Sequence, residues 1–75
     1  MAQERTLRLK VVGDQRMHCA GCESTVRFTL GRLPGVQRVH ADRKTQVIVV
    51  SAGEGLDPRR VLEELEWIGY QTAAE

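Results

Sequence analysis

The chain has 75 residues, of which 41% are hydrophobic and 28% are charged, and its formal net charge at pH 7 is +1. Its length predicts a single domain over residues 1–75 with too little material for a deep catalytic cleft, so we do not expect an enzyme. Balanced charge, with one Trp, one Tyr and one Phe, also argues against a nucleic-acid partner.

The cellular compartment is predicted from what the sequence lacks. No apolar run approaches the length that a membrane-spanning helix needs, and the first six residues lack the apolar core of a secretory signal. We therefore expect a cytoplasmic protein that does not insert into a membrane. In such a reducing compartment, two cysteines are more often a metal or redox pair than a structural disulfide.

A first strand is predicted over residues 6–12, where Leu7, Leu9 and Val11 alternate with polar or charged side chains. The turn-forming and charged residues 13–16 interrupt this alternation. They lead directly to the cysteines, within the sequence Met17-His18-Cys19-Ala20-Gly21-Cys22.

A first helix is predicted after the loop that contains Cys19, with Cys22 in its opening turn. Apolar residues recur there at spacings of four and three, as expected for a helix with one buried stripe: Val26, Leu30 and Leu33. The pair Pro34-Gly35 is expected to end this helix.

A hairpin is predicted next, with strands over residues 36–41 and 46–51 joined by a polar turn over residues 42–45. The second of these strands is rich in β-branched residues. Residues 53–55 are expected to form a flexible connection to the following element.

A second helix is predicted to start with Asp57 as N-cap and Pro58 at its first position. Its end is expected at Gly69, which suits a left-handed C-terminal residue, with Trp67 packing at the helix end. The expected apolar stripe contains Val61, Leu62, Leu65 and Ile68. Residues 70–73 are then long enough for one short edge strand.

The predicted order is strand, helix, strand, strand, helix, strand. This order corresponds to an α+β ferredoxin-like βαββαβ fold, with an antiparallel four-stranded sheet and two helices on one face. Because this fold hosts many unrelated functions, the prediction of function depends on the cysteines.

Cys19 and Cys22 lie at a junction between a loop and a helix, so their spacing directs both sulfurs to one point. The helix N-terminus favours thiolate over thiol, and we expect a lowered pKa for Cys22 in particular. Two thiolates without further protein ligands suit a soft ion with few bonds, which favours Cu(I).

A closed zinc site is disfavoured, because Zn(II) requires four ligands and the remaining histidines, His18 and His40, do not form a ligand pair. Hg(II) and Zn(II) are retained as alternative ions. His18 is expected to be either a solvated loop residue or a ligand, and Met17 either buried packing or a sulfur ligand.

The segment from Met17 to Cys22 resembles the M-x-C-x-x-C signature of heavy-metal-associated domains, a family that includes copper chaperones and the N-terminal domains of copper-transporting P-type ATPases. The resemblance extends from about Leu7 to Thr72 and includes Ile68-Gly69-Tyr70 in the late loop. Residues 14–16 depart from the family pattern, because they lengthen the link between the first strand and the signature methionine.

This resemblance implies that Cys19 and Cys22 bind metal, supported by Met17 beneath the loop, by His18 and by Tyr70 near the site. Tyr70 is typical of bacterial members, so the resemblance favours a bacterial protein. His18 stands where zinc-selective members often carry Asp, which argues against a zinc exporter domain.

The function predicted from the sequence is metal binding and transfer to a copper-transporting P-type ATPase or another CxxC domain. The chain is expected to be a monomer, with a metal-bridged dimer as an alternative. A mercury-binding module and a thiol–disulfide oxidoreductase are the alternative functions. Around the site, Arg16, Arg27 and Arg32 are expected either to form a solvated face or to steer an acidic partner.

Overall fold

A computed structural model describes residues 5–53 and 55–74 of the chain. The expectations about residues 1–4, and the part of the predicted connection that falls on Glu54, lie outside the described residues. The elements follow the order predicted from the sequence: β1 (Arg5–Val12), α1 (Ala20–Gly31), β2 (Val36–Asp42), β3 (Val47–Ala52), α2 (Pro58–Trp67) and β4 (Gln71–Ala74).

The four strands form one antiparallel sheet in the order β2-β3-β1-β4. Leu9 of β1 pairs with Ile48 of β3, and on its other side β1 pairs with β4, for example Val11 with Thr72. The short strand β4 therefore lies at one edge, as predicted. This topology confirms the ferredoxin-like α+β fold.

Both helices cover the same face of the sheet, because the side chains of alternating strand residues share one core with the helical stripes. Leu9 and Val11 are buried, whereas Arg8 and Lys10 are exposed on the opposite face. The hydrophobic core also contains residues with no exposed surface, which come from α1, β3 and α2: Val26, Leu30, Ile48, Val50, Ala52, Val61 and Leu65. Removal of this apolar surface from water is the main favourable contribution to folding.

The turn between β2 and β3 is closed by Gln46, which the sequence analysis placed in a strand. Its backbone N–H donates to the carbonyl of Asp42 at 2.8 Å, and its carbonyl accepts from the N–H of Val11 at 2.8 Å. Its φ of +61° lies in the left-handed region, which costs a non-glycine residue about 1–2 kcal/mol. Among the described residues, Gln46 is also the only buried polar side chain.

Helix α2 has the N-cap and the left-handed C-terminal glycine that the sequence predicts. The Asp57 side chain accepts from the N–H of Arg59 at 3.0 Å, which satisfies a donor that the helix leaves unpaired. At the other end, Gly69 has a φ of +99° and donates to the carbonyl of Glu66 at 2.9 Å. The next N–H, that of Tyr70, donates to the carbonyl of Leu65 at 2.8 Å, completing a Schellman motif.

Two expectations about α2 were wrong. Trp67 does not pack at the helix end but is 86% exposed, and Leu62 lies at the margin of the buried stripe with 38% exposure. The core-facing residues of α2 are Val61 and Leu65, and a helix turns by about 100° per residue, so Trp67 points away from them. Helix α1 starts at Ala20, so Cys22 lies in its first turn, as predicted.

Within the described residues, neither helix has the length and apolar character needed to cross a membrane.

Replacing Leu30 by Ala should lower the free energy of unfolding by about 2–5 kcal/mol, because Leu30 has no exposed surface and its loss leaves a cavity. Urea denaturation followed by circular dichroism measures the change. Phe28→Ala is the matched control in the same helix, because Phe28 is 70% exposed, and it should change stability by about 0.5 kcal/mol or less. Equal losses in the two variants would contradict the assignment of the buried face of α1.

Candidate metal centre

The two cysteines lie on either side of the start of α1. Cys19 is the N-cap residue, with extended backbone angles, and its carbonyl accepts from the N–H groups of Cys22 and Glu23 at 3.0 and 3.2 Å. The Cys19 side chain makes no capping hydrogen bond, so its sulfur is available for other partners. The two sulfurs lie 3.6 Å apart, as the spacing predicts. Cys19 is exposed and Cys22 is half-buried.

The pKa of the Cys22 thiol is lowered from 9.0 to about 7, in the predicted direction. The largest cause is a hydrogen bond from the backbone N–H of His18, followed by hydrogen bonds from the Tyr70 hydroxyl and from Cys19, while burial opposes the shift. These donors stabilise the thiolate relative to the thiol. They belong to the loop before α1 and the loop after α2, whereas the sequence indicated only the helix N-terminus as a stabilising group.

Tyr70 packs in the core and also contacts the site, near which the family resemblance places it. Its side chain is 6% exposed and packs in the core, and its hydroxyl interacts with the sulfur of Cys22. Burial, together with the interaction with Cys22, raises the pKa of Tyr70 to about 12. The hydroxyl therefore keeps its proton, and acts as a donor, throughout the pH range in which Cys22 ionises. The Schellman motif at Gly69 is what turns the chain so that Tyr70 enters this position.

Met17 and His18 occupy different environments although they are neighbours. The Met17 side chain is 2% exposed and belongs to the core cluster, as expected of a residue that packs beneath the loop. The His18 side chain is exposed, and its backbone N–H is the part that interacts with Cys22. The sequence did not indicate the role of His18, because the type of side chain does not reveal which backbone N–H groups act as donors.

Sequence reasoning missed Gln46 as a neighbour of the site. Its side-chain oxygen accepts from the N–H of Met17 at 2.9 Å, and its side-chain nitrogen donates to the carbonyl of Met17 at 2.8 Å. Gln46 lies 29 positions from Met17 along the chain, and a Gln beside a polar turn is typical of a solvated surface. No sequence signal therefore distinguished it.

The donor set fits a soft ion of low coordination number. In the part of the chain that is described, no group of three or more His, Cys, Asp or Glu side chains converges on one point. With metal–sulfur bonds of about 2.3 Å, two sulfurs 3.6 Å apart subtend an angle of about 100° at a shared ion. A linear arrangement would need a separation of about 4.6 Å, so at 3.6 Å the two sulfurs could share an ion only in a bent arrangement, which leaves room for a further ligand.

The expectation that three arginines surround the site was wrong for Arg32. This residue is the C-cap of α1, about 15 Å along the helix axis from Cys22, and its guanidinium lies over the Phe28 ring at 5.7 Å. Arg27 donates to the Ser24 hydroxyl at 3.2 Å on the exposed side of α1. Arg16, which is exposed, is the member of the set within the loop that precedes Cys19.

Comparison with known proteins gives a family that agrees with this geometry. The sequence model of the heavy-metal-associated domain matches residues 15–71. Heavy metal-associated isoprenylated plant protein 24 of Arabidopsis thaliana is 36% identical over 61 residues, which cover 81% of this chain and 37% of that protein. The chain thus spans less than half of this relative. Because the curated relatives are plant proteins, a bacterial origin stays a prediction.

Solved structures share the fold over nearly the whole chain. One described as "Crosstalk between Cu(I) and Zn(II) homeostasis" has a TM-score of 0.81 at 25% identity, covering 95% of this chain and 99% of that one. A CopZ metallochaperone has a TM-score of 0.82 at 21% identity and covers 92% of this chain and 100% of its own, a likeness of fold alone.

Tyr70→Phe should raise the pKa of Cys22 above about 7, because the ring still fills the core while the donor to the thiolate is lost. Titration of the ultraviolet thiolate absorbance of the metal-free, reduced chain measures this pKa. An unchanged pKa would show that the Tyr70 hydroxyl does not stabilise the thiolate.

The same substitution should alter the pH dependence of stability. The pKa of Cys22 is about 7 in the folded chain and ordinarily 9.0, so between these values the unfolded chain binds more protons. Stability should therefore rise with pH across this window, and be lost as the pH falls towards 7. Tyr70→Phe should reduce the rise, whereas Cys22→Ser should abolish this contribution. Urea denaturation at several pH values provides the comparison.

Proposed function

The chain belongs to the heavy-metal-associated domain family, and on this premise we propose that it binds one soft metal ion, Cu(I) first, and passes it to a partner protein. The ligands in this proposal are the thiolates of Cys19 and Cys22. The observation that carries it is the separation of 3.6 Å between the two sulfurs at an accessible end of the molecule. Since the ion is cargo, the site must both hold it and release it.

The choice of Cu(I) follows from the number and type of the ligands. Soft thiolates favour Cu(I), and an ion that needs few bonds can be held by two sulfurs while it still has room for a third ligand. Zn(II) would need two more ligands from another molecule to complete its tetrahedron. Hg(II) also accepts two thiolates. The metal titrations below must therefore distinguish a mercury-binding role from the copper role. One of the similar solved structures is described with both Cu(I) and Zn(II), so the affinity for Zn(II) must be measured beside the affinity for Cu(I).

Transfer is supported by the unequal exposure of the two sulfurs. Cys19 is exposed, so a thiolate of a second protein can approach the open side of a bound ion before either resident sulfur leaves. The partner that fits this route is another CxxC domain, such as that of a copper-transporting P-type ATPase. Because thiolates must stay reduced to bind metal, we place this activity in the cytoplasm.

A carrier role fits the cysteines better than thiol–disulfide catalysis. An oxidoreductase needs an accessible cysteine with a lowered pKa as the attacking thiolate. Here the pKa is lowered at Cys22, which is half-buried, while the more exposed cysteine is Cys19. We therefore propose that the chain catalyses no covalent reaction. Turnover in an insulin-reduction assay would contradict this part of the proposal.

Anaerobic competition with a chromophoric chelator should show one Cu(I) per chain, and the Cys19→Ser, Cys22→Ser double variant should lose this binding. His40→Ala is the matched control. Histidine is a common metal ligand, but His40 lies on the open face of the sheet and outside the proposed site, so its loss should leave the Cu(I) affinity unchanged. Parallel titrations with Zn(II) and Hg(II) rank the ions. Copper binding that survives the double variant would refute the assignment of the ligands, and a preference for Hg(II) would favour the mercury role.

The Cu(I)-loaded chain should give up its ion to a metal-free second CxxC domain when the two are mixed and then separated for copper analysis. The same partner with serines in place of its cysteines should receive none, because the route requires an incoming thiolate. Light scattering of the loaded chain alone tests the metal-bridged dimer. If copper remains on the chain after prolonged mixing with the intact partner, the transfer role is wrong.

A further inference from the structure

We propose that the turn between β2 and β3, residues 43–46, is a positioning device that holds the metal-binding loop on both sides of its cysteines. We call these residues the supporting turn. The inference deepens the proposed function and rests on it, because it concerns how the sulfurs of Cys19 and Cys22 are held ready for an ion. Two separate sets of hydrogen bonds carry it, one before Cys19 and one after Cys22.

The contact before Cys19 is made by Gln46. Its side-chain amide binds both polar groups of the Met17 backbone, at 2.9 Å to the N–H and 2.8 Å to the carbonyl. Both bonds are buried, so competition from water is weak and their geometry is well defined. The Met17 side chain is meanwhile fixed in the core, so this residue is held by its backbone and its side chain together.

The contact after Cys22 is made by Arg43. One oxygen of the Glu23 carboxylate accepts from the backbone N–H of Arg43 at 2.7 Å, and the other pairs with its guanidinium at 3.2 Å. The Glu23 side chain is 17% exposed. This carboxylate therefore anchors the first turn of α1 directly after the second cysteine.

The two contacts are joined within the supporting turn. The side-chain nitrogen of Gln46 also donates to the carbonyl of Arg43 at 2.6 Å, so the contacts run without a break from Met17 through Gln46 and Arg43 to Glu23. Met17 and Glu23 enclose the segment that contains both cysteines. Both ends of this segment are thus hydrogen-bonded to the same turn, which holds the two sulfurs at their separation before an ion arrives.

The backbone of Gln46 supports a positioning role rather than simple turn formation. A φ of +61° is unfavourable for Gln and is accommodated without strain by Gly. Strained backbone at a residue whose side chain is fully engaged beside a binding loop is the pattern expected where the side chain has a function. The strain also provides a clean test, because Gly at this position removes the amide while relaxing the turn.

The experiment compares Gln46→Gly, Gln46→Asn and the native chain. Asn tolerates the left-handed backbone and keeps the amide, but it is one carbon too short to reach Met17 as Gln does. Thr45→Ala is the matched control, since Thr45 lies in the same turn and takes no part in either set of bonds. Glu23→Ala tests the second contact in a variant whose turn is unaltered.

Two readouts are needed, one with metal and one without. In the metal-free, reduced chain, amide hydrogen exchange at Met17 should be at least about tenfold faster in Gln46→Gly and Gln46→Asn than in the native chain. The Cu(I) affinity of both variants should fall by about 10–100-fold, the usual effect of removing a group that orients a metal ligand. Thr45→Ala should match the native chain, and Glu23→Ala should also weaken Cu(I) binding.

Native exchange rates and native Cu(I) affinity in Gln46→Gly would overturn the inference, and so would a loss of thermal stability alone. Failure of the proposed function has a different signature: the native chain itself would then bind no Cu(I). In that case the exchange rates at Met17 would still decide whether Gln46 holds the loop.

Discussion

Burial of a single apolar face of the sheet determines where the ends of both helices lie, and the candidate metal centre depends on that placement. Val26 and Leu30 of α1 share one core with Val61 and Leu65 of α2, so the two helices lie side by side on this face. The N-terminus of α1 and the C-terminus of α2 consequently meet, which allows Tyr70 to reach Cys22. The chemistry of the thiol therefore depends on packing that occurs elsewhere in the molecule.

The electrostatics of the site rely on hydrogen-bond donors rather than on a neighbouring positive charge. The pKa of Cys22 is lowered by backbone N–H groups and by the Tyr70 hydroxyl. Neutral donors stabilise a thiolate while leaving the open side of the sulfur pair free of competing side chains. A cation beside the site would stabilise the thiolates more strongly, but it would also repel an incoming metal ion. Stabilisation by neutral groups is thus consistent with the proposed role, in which the site accepts and releases a cation.

Fast and selective exchange of a metal ion requires that the ion and its incoming ligand move while the loop that carries the cysteines stays in place. Cys19 is exposed, as the proposed transfer would require, yet the chain on either side of the cysteines is held through Met17 and Glu23. A loop held at both ends loses less conformational entropy when it binds an ion, so more of the interaction energy appears as affinity. The cost of this arrangement is visible at Gln46, whose left-handed backbone is unfavourable in isolation.

The sequence by itself determined the order of elements, the cap at Asp57, the left-handed Gly69 and the proximity of the two cysteines. These features are local: they depend on residues within about one helical turn or on a regular apolar period. The tertiary structure alone decided that Trp67 is exposed, that the His18 backbone and the Tyr70 hydroxyl stabilise the Cys22 thiolate, and that Gln46 supports the loop. Such contacts join residues far apart in the chain, and for Gln46 and Met17 the separation is 29 positions. No local propensity encodes them, because they arise only when burial of the sheet face brings distant segments together.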